Sequence, residues 1–209
     1  TDYGPIDVLW LDGGQVRPPN QDIRMAEIAE KARKLQPGLL FADRNVGGLF
    51  ENIITPEQKI PEKPLGHAWE TCMTMGDSWS FKPKDNYKST KTIIHRLIDI
   101  VAKGGNLLLN VGPDADGEFD PVAVSRLEGI GRWMEQNGEA IYGTRPIEPY
   151  RQGHFAFTQK DDVVYAFYMA DENGEPPSGV ITIPEFRPLD GSEVFLLGRS
   201  EPLTYKALE

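Results

Sequence analysis

Between residues 6 and 136, short apolar runs alternate with amphipathic helical stretches, and that alternation restricts the fold more than any other feature of the chain. Ile6 to Leu11 is an apolar run ending in Asp12-Gly13-Gly14, which predicts a buried strand followed by a loop. Gln21 to Leu35 sets Met25, Ala29, Ala32 and Leu35 at helical spacing. Asn20 or Asp22 can cap its start, and Pro37-Gly38 stops it. Leu39 to Ala42 reads as a second strand, closed by Asp43-Arg44. A long loop with Gly47-Gly48 and several prolines then runs to Gly66, and Ala68 to Met75 reads as a third strand. Thr90 to Lys103 has Ile94, Leu97, Ile98 and Val101 on one helical face and ends at Gly104-Gly105. Asn106 to Val111 is a fourth strand, and Pro121 to Gln136 a third helix with proline in its first position. Apolar strands separated by helices predict a parallel sheet covered on both faces.

The pattern changes near Pro146. Phe155 to Phe157, Val163 to Tyr168, Gly179 to Ile183 and Glu193 to Leu197 predict short strands between Asp, Gly and Pro turns, with no helical period. Residues 1–145 are therefore read as an α/β domain and 146–209 as a small antiparallel β domain.

Composition narrows the function classes. A chain of 209 residues with 39% hydrophobic and 26% charged side chains can bury a sizeable core, which excludes wholesale disorder. Its formal net charge of -10 repels phosphate backbones and anionic membrane surfaces, so neither nucleic acid nor a membrane is expected as a partner. Cys72 is the sole cysteine, so no intrachain disulfide can form. No apolar run reaches the roughly 18 residues that span a bilayer. Thr1-Asp2-Tyr3-Gly4-Pro5 lacks the features of a signal peptide and reads as an interior loop entering a strand. His67, His95 and His154 have no metal-ligand spacing, and no phosphate-cradling loop or Gly-x-Ser-x-Gly elbow occurs. No metal or cofactor is expected.

What remains is a set of acids, aromatics and one arginine near strand ends. Asp12 follows an apolar strand where catalytic groups of barrel enzymes sit, but an acid there can also simply cap the loop. Trp10, two residues earlier, shares its strand face and suits either a sugar platform or a core. Arg44 can bond a sugar oxygen or pair with Asp43. Glu57 lies on the long loop, where carboxylates are usually solvated. Glu70 stands inside an apparent buried strand and needs a partner or a function. Trp79, in Asp77-Ser78-Trp79-Ser80-Phe81, can stack on a sugar's apolar face or pack its own loop. Paired carboxylates with aromatics suit glycoside hydrolysis. A retaining mechanism uses a nucleophile and an acid/base about 5–5.5 Å apart.

Several segments, in order and spacing, resemble the α-L-fucosidases, glycoside hydrolase family 29. They are Asp7 to Gly14, Asp43-Arg44, Thr55-Pro56-Glu57-Gln58, Trp69-Glu70-Thr71-Cys72, Ser78 to Phe81, Gly104 to Pro113 and Asn137 to Gly143. The last two together are the most characteristic. The likeness runs from residue 3 to about 146, and the β tail fits the family's C-terminal sandwich. It implies the second half of a (β/α)8-type barrel followed by an antiparallel β-sandwich.

The resemblance also implies site roles. Asp12 matches the nucleophile and Glu57 the general acid/base. Glu70 matches a position given the acid role in some members, and is held in reserve. Trp10, Trp79 and Arg44 match fucose contacts, with Trp79 near the C6 methyl and Arg44 beside the ring. The chain departs from the family at Asp43-Arg44-Asn45-Val46-Gly47, where Asp-Arg-Trp-Gly is common, and at Leu11, where Phe or a polar residue is common. The family's earlier strands, bearing histidines and another acid, have no counterpart in the chain. Two readings follow. One is a retaining exo-α-L-fucosidase acting on terminal α-L-fucose of glycans, which needs an N-terminal half-barrel supplied from elsewhere or self-associates. The other is a catalytically inactive fragment serving as a carbohydrate-binding or structural module. Family likeness suggests an exported protein, periplasmic or secreted.

Overall fold

The structure, a computed structural model, describes residues 4–44, 46–171, 174, 177 and 179–207. In chain order its elements are β1 (Val8–Leu11), α1 (Met25–Leu35), β2 (Leu40–Asp43), β3 (Ile53–Ile54), β4 (Ala68–Thr74), α2 (Thr90–Ala102), β5 (Gly105–Asn110), α3 (Pro121–Asn137), β6 (Arg145–Gln152), β7 (Phe155–Lys160), β8 (Val163–Tyr168), β9 (Val194–Phe195) and β10 (Pro202–Leu203). They fall into two compact units, Thr1–Met73 with Gly105–Leu108, and Thr74–Gly104 with Leu109–Glu209. The fold is mixed α/β, with parallel strand pairs in the first unit and antiparallel ones in the second.

In the first unit β1 pairs parallel with β2, Trp10 opposite Ala42 and Leu11 opposite Asp43. Helix α1 connects them and buries Met25 and Ala29 against Leu39 and Phe41, with Leu9 and Leu11 packed alongside. Burial of the large side chains of Met25, Leu39 and Phe41 contributes about 1.5–3 kcal/mol each. Asn52 ties the next strand in: its N–H donates to the Phe41 carbonyl over 2.8 Å, and its side-chain oxygen accepts from the Phe41 N–H over 3.0 Å. β3 then pairs parallel with β4, and β5 lies on the other side of β4. Glu57 continues the β3 edge, bridging parallel to Cys72.

The second unit is built on α2 and α3. The Ser89 hydroxyl caps α2 by accepting from the Thr92 N–H, and the Asp120 carboxylate caps α3 by accepting from the Val122 N–H, with Pro121 in the first turn. Ile94, Ile98 and Ala102 of α2 pack with Ala140, Ile141, Ala156 and Phe167. The sheet runs β6-β7-β8, antiparallel throughout.

Several expectations need correction. The first helix begins at Met25, not Gln21, and neither Asn20 nor Asp22 caps it. The Asp22 carboxylate accepts instead from the Arg24 N–H, and Arg24 takes a left-handed conformation at φ 55° that ends the approach to the helix. Gly179 to Ile183 forms no strand. Alternating apolar residues provide the period of a strand but not a hydrogen-bonded neighbour, and Val180 stands exposed. Three strands, β3, β6 and the two-residue β10, escaped the sequence pattern. β6 contains Pro146 and Pro149, which argue against a central strand. It lies at the edge of its sheet, where a missing N–H costs nothing, and its register shifts between Pro146 and Arg151. β3 has only two residues, too short for any periodicity. The expected loop character of Thr1 to Tyr3 and the departure at Asn45 lie outside the described residues.

Candidate active site

Parallel pairing brings the ends of β1 and β2 together, and the Asn52–Phe41 hydrogen bonds hold the start of β3 beside them in the first unit. Leu11 is level with Asp43, so the next residues, Asp12 and Arg44, emerge side by side. The backbone holds that step in place, because the Arg44 N–H donates to the Leu11 carbonyl over 3.1 Å. Glu57 is fixed in the same way: Gln58 N–H donates to the Cys72 carbonyl over 2.9 Å, and Cys72 N–H to the Pro56 carbonyl over 3.3 Å. The loop glutamate is therefore locked against β4 rather than free in solvent.

Arg44 is the hub. Its guanidinium pairs with Glu57 through Nη2 and lies 3.4 Å from an Asp12 oxygen through Nη1. Nη1 also reaches the Cys72 sulfur at 3.9 Å. Its Cζ lies over the Trp10 ring, 5.3 Å from the ring centroid. Arg44 thus joins the two candidate catalytic acids. Burial opposes its charge. The Glu57 hydrogen bond and the charges of Asp12, Cys72 and Glu57 outweigh that, so its pKa is raised and the guanidinium stays cationic. The side chain of Arg44 is 20% exposed, that of Glu57 43% and that of Asp12 64%. A fixed cation thus stands against two carboxylates that water and a ligand can both reach.

Glu70 joins this cluster from β4, accepting from the Trp10 indole N–H over 3.2 Å. Cys72 was not among the sequence candidates. Its spacing of two from Glu70 on one strand was the available signal. Burial raises the pKa of its thiol, with Arg44 acting in the opposite sense and Glu57 reinforcing burial. A cleft of about 360 Å³ beside Arg44, lined by Arg17, Asp43, Glu51, Ile54 and Pro56 among others, touches neither Asp12 nor Glu57. Arg44 lines this cleft and also contacts the two acids outside it.

Trp79 belongs to the second unit. Its loop is organised by Asp85, whose carboxylate is nearly buried and accepts from the N–H groups of Asp77, Ser78 and Asn86 at 2.9–3.2 Å. Burial alone would raise the Asp85 pKa. The three N–H donors and Lys82 outweigh it and hold the carboxyl below its usual range. Asn110 donates from its side chain to the Trp79 carbonyl over 2.8 Å, and a Cβ on Gly112 would fall 2.5 Å from the Phe81 nitrogen. The apolar strand ending in Asn110-Val111-Gly112 therefore props the aromatic loop, a role for Asn110 that sequence reasoning missed. A polar residue closing an otherwise apolar strand was the available clue. Among the described residues no group of three or more His, Cys, Asp or Glu side chains is placed to hold a metal, and no helix is long and apolar enough to cross a membrane.

The α-L-fucosidase family model matches residues 1–139. The chain belongs to the α-L-fucosidase family. Its plasma α-L-fucosidase relative from Pongo abelii is 33% identical over 226 residues, covering 100% of this chain and 47% of that protein. Among solved fucosidases, α-L-fucosidase isoenzyme 1 from Paenibacillus thiaminolyticus aligns with a TM-score of 0.69 at 32% identity, covering 77% of this chain and 42% of that one. The Thermotoga maritima α-fucosidase solved in complex with fucose aligns at 0.65 with 29% identity, covering 81% and 39%. The chain spans less than half the length of each of these fucosidases.

Proposed function

We propose that this chain carries the reacting carboxylates of a retaining exo-α-L-fucosidase. Membership of the fucosidase family supports the substrate class, and the observation that carries the chemistry is Arg44 standing against Asp12 and Glu57 together. In the first step an Asp12 oxygen attacks the anomeric carbon while the bond to the leaving oxygen breaks and Glu57 gives that oxygen a proton. In the second, Glu57 takes a proton from water as the water oxygen attacks the same carbon, and Asp12 departs as a carboxylate. Arg44 offsets the negative charge of the pair and presents N–H donors beside the sugar ring. Trp10 offers the ring a flat wall, and Trp79 keeps the role that the resemblance gives it, a partner for the C6 methyl.

The fold reading that accompanies this function is the second half of a (β/α)8-type barrel over residues 1–145, with a β-sandwich domain over 146–209. It is supported by the parallel β1–β2 and β3–β4 pairs and the antiparallel β6–β7–β8 sheet. The ligand is a fucosylated glycan or glycoconjugate, and the companion is an N-terminal half-barrel or a second copy of the chain. Export from the cytoplasm fits the plasma enzyme among the relatives. The exposure of Asp12 favours a second reading for the chain in isolation, a catalytically inactive carbohydrate-binding or structural module, because an exo-acting site needs further walls around its nucleophile.

The test is turnover of 4-nitrophenyl α-L-fucoside by the chain alone and with the N-terminal half supplied. Turnover in the second arm, abolished by Asp12→Gly and restored by azide, is the expected result. No turnover in either arm overturns the enzymatic reading.

A further inference from the structure

Glu70 occupies a position that the mechanism above does not use. It follows the buried Trp69 on β4 and shares a strand face with Cys72, which touches Arg44. Its Oε1 accepts from the Trp10 indole N–H over 3.2 Å. The face of the same indole carries the Arg44 guanidinium, 5.3 Å from the ring centroid, and Arg44 reaches Asp12 and Glu57. Glu57 is thus joined to Asp12 through one guanidinium, whereas among the described residues Glu70 is linked to it through Trp10 and then Arg44.

We infer that Glu70 is a positioning residue: its carboxylate fixes the plane of Trp10, and that plane sets Arg44 between the two reacting acids. Indole is a donor only, so the Glu70 oxygen that faces it serves as an acceptor. An indole has two side-chain torsions. The strand backbone and packing restrict the first, and a hydrogen bond at Nε1 restricts the second. With the ring fixed, the cation over its face keeps its place, and its N–H groups meet Asp12 and Glu57 together. Without the hydrogen bond the ring can rotate, and the guanidinium loses its platform. The carboxylate in the Trp69-Glu70-Thr71-Cys72 segment then matters for geometry, not for its proton. This assignment presupposes Asp12 and Glu57 as the reacting pair.

The experiment compares Glu70→Ala, Glu70→Gln, Trp10→Phe and the Trp10→Phe, Glu70→Ala double variant on aryl α-L-fucosides with good and poor leaving groups. A glutamine oxygen can still accept from the indole, so Glu70→Gln recovers most of what Glu70→Ala loses. Glu70→Ala lowers kcat/KM by roughly 10–100-fold, the scale of an angstrom-sized misplacement, and by the same factor for good and poor leaving groups. Trp10→Phe, which removes the N–H and keeps a ring, behaves alike, and the double variant is no worse than either single one. The pH profile keeps its shape. The inference is overturned if Glu70→Gln is as inactive as Glu70→Ala, if activated fucosides are spared and azide restores turnover, or if the two losses multiply. A separate readout isolates the link from the chemistry. The chain has four tryptophans, so the fluorescence difference between each protein and its Trp10→Phe counterpart reports Trp10. That difference shifts in Glu70→Ala and returns in Glu70→Gln even if no fucoside is turned over, which would sink the fucosidase reading and spare this one. An unchanged difference spectrum in Glu70→Ala sinks this one.

Discussion

Replacing Gly105 by alanine should destabilise the protein by about 2 kcal/mol, and the cause is a single tryptophan. An ideal Cβ at Gly105 would lie 2.3, 2.4 and 2.5 Å from Cζ2, Cε2 and Cη2 of Trp69. Carbon atoms prefer about 3.5–4.0 Å, so each of these contacts is short by at least about 1 Å. Trp69 is 1% exposed and cannot swing aside. Gly105 has no left-handed backbone requirement, so alanine would otherwise gain about 0.4–1 kcal/mol by restricting the unfolded chain. Against that gain stands an overpacking cost of about 1–3 kcal/mol, taken at its upper end because three ring atoms collide at once. For a protein of this size the net loss lowers the melting temperature by roughly 4–8 °C. Trp69→Phe removes the three colliding atoms at the cost of a cavity. In the double variant the two losses should therefore fail to add, leaving a coupling of about 1 kcal/mol or more. Urea unfolding of the four proteins followed by circular dichroism measures all of this. A Gly105→Ala variant as stable as the wild type, or losses that add without coupling, would refute the steric account. The outcome bears on the site because Trp69 precedes Glu70 on β4.

Other perturbations separate stability from function. Arg44→Met should cost little stability, about 1 kcal/mol or less, because its partners Asp12 and Glu57 are substantially exposed. It should lower kcat/KM for an α-L-fucoside far more, and comparable losses in both assays would count against Arg44 as an active-site cation. Tyr165 should titrate at about 12, because burial and its 2.7 Å hydrogen bond to Glu139 disfavour the phenolate. Its folded pKa is raised, so the stability it lends is full below about 10, the unfolded value, and is lost as pH rises towards about 12. Absorbance at alkaline pH should show Glu139→Gln titrating lower than the wild type. Asp85 has the opposite sign: its folded pKa is lowered, so its support of the Trp79 loop is present at neutral pH and fails in acid below the usual carboxylate range. Asp85→Ala should change the Trp79 fluorescence at pH 7. If Trp79 reports the same environment in both proteins, the carboxylate does not organise the loop.

Much of the fold could be read from local pattern. The starts of α2 and α3 follow from Ser89, Asp120 and Pro121, whose side chains settle the matter within four residues. The strand at Val163–Tyr168 falls where its apolar period predicts. α1 was read four residues too early because Arg24 reverses the chain through a backbone conformation that its residue type does not announce. β6 was missed because its prolines are tolerable only at a sheet edge, and edge position is a property of the assembled sheet. The candidate acids were likewise legible as residue types at strand ends, but not their partners.

Asp12, Arg44, Glu57 and Glu70 are separated by up to 58 positions in the sequence. Sequence by itself established the alternation of strands and helices, the acidic surface and the family to which these segments are similar. Those properties reside in residue chemistry and short-range period, which do not depend on what packs against them. Tertiary structure alone decided that Arg44 pairs with both Asp12 and Glu57, that Glu57 is held against β4, and that Glu70 faces the indole of Trp10. Each of these contacts is made across different strands, and the register of parallel pairing, which sets Leu11 beside Asp43, exists only once the sheet has formed.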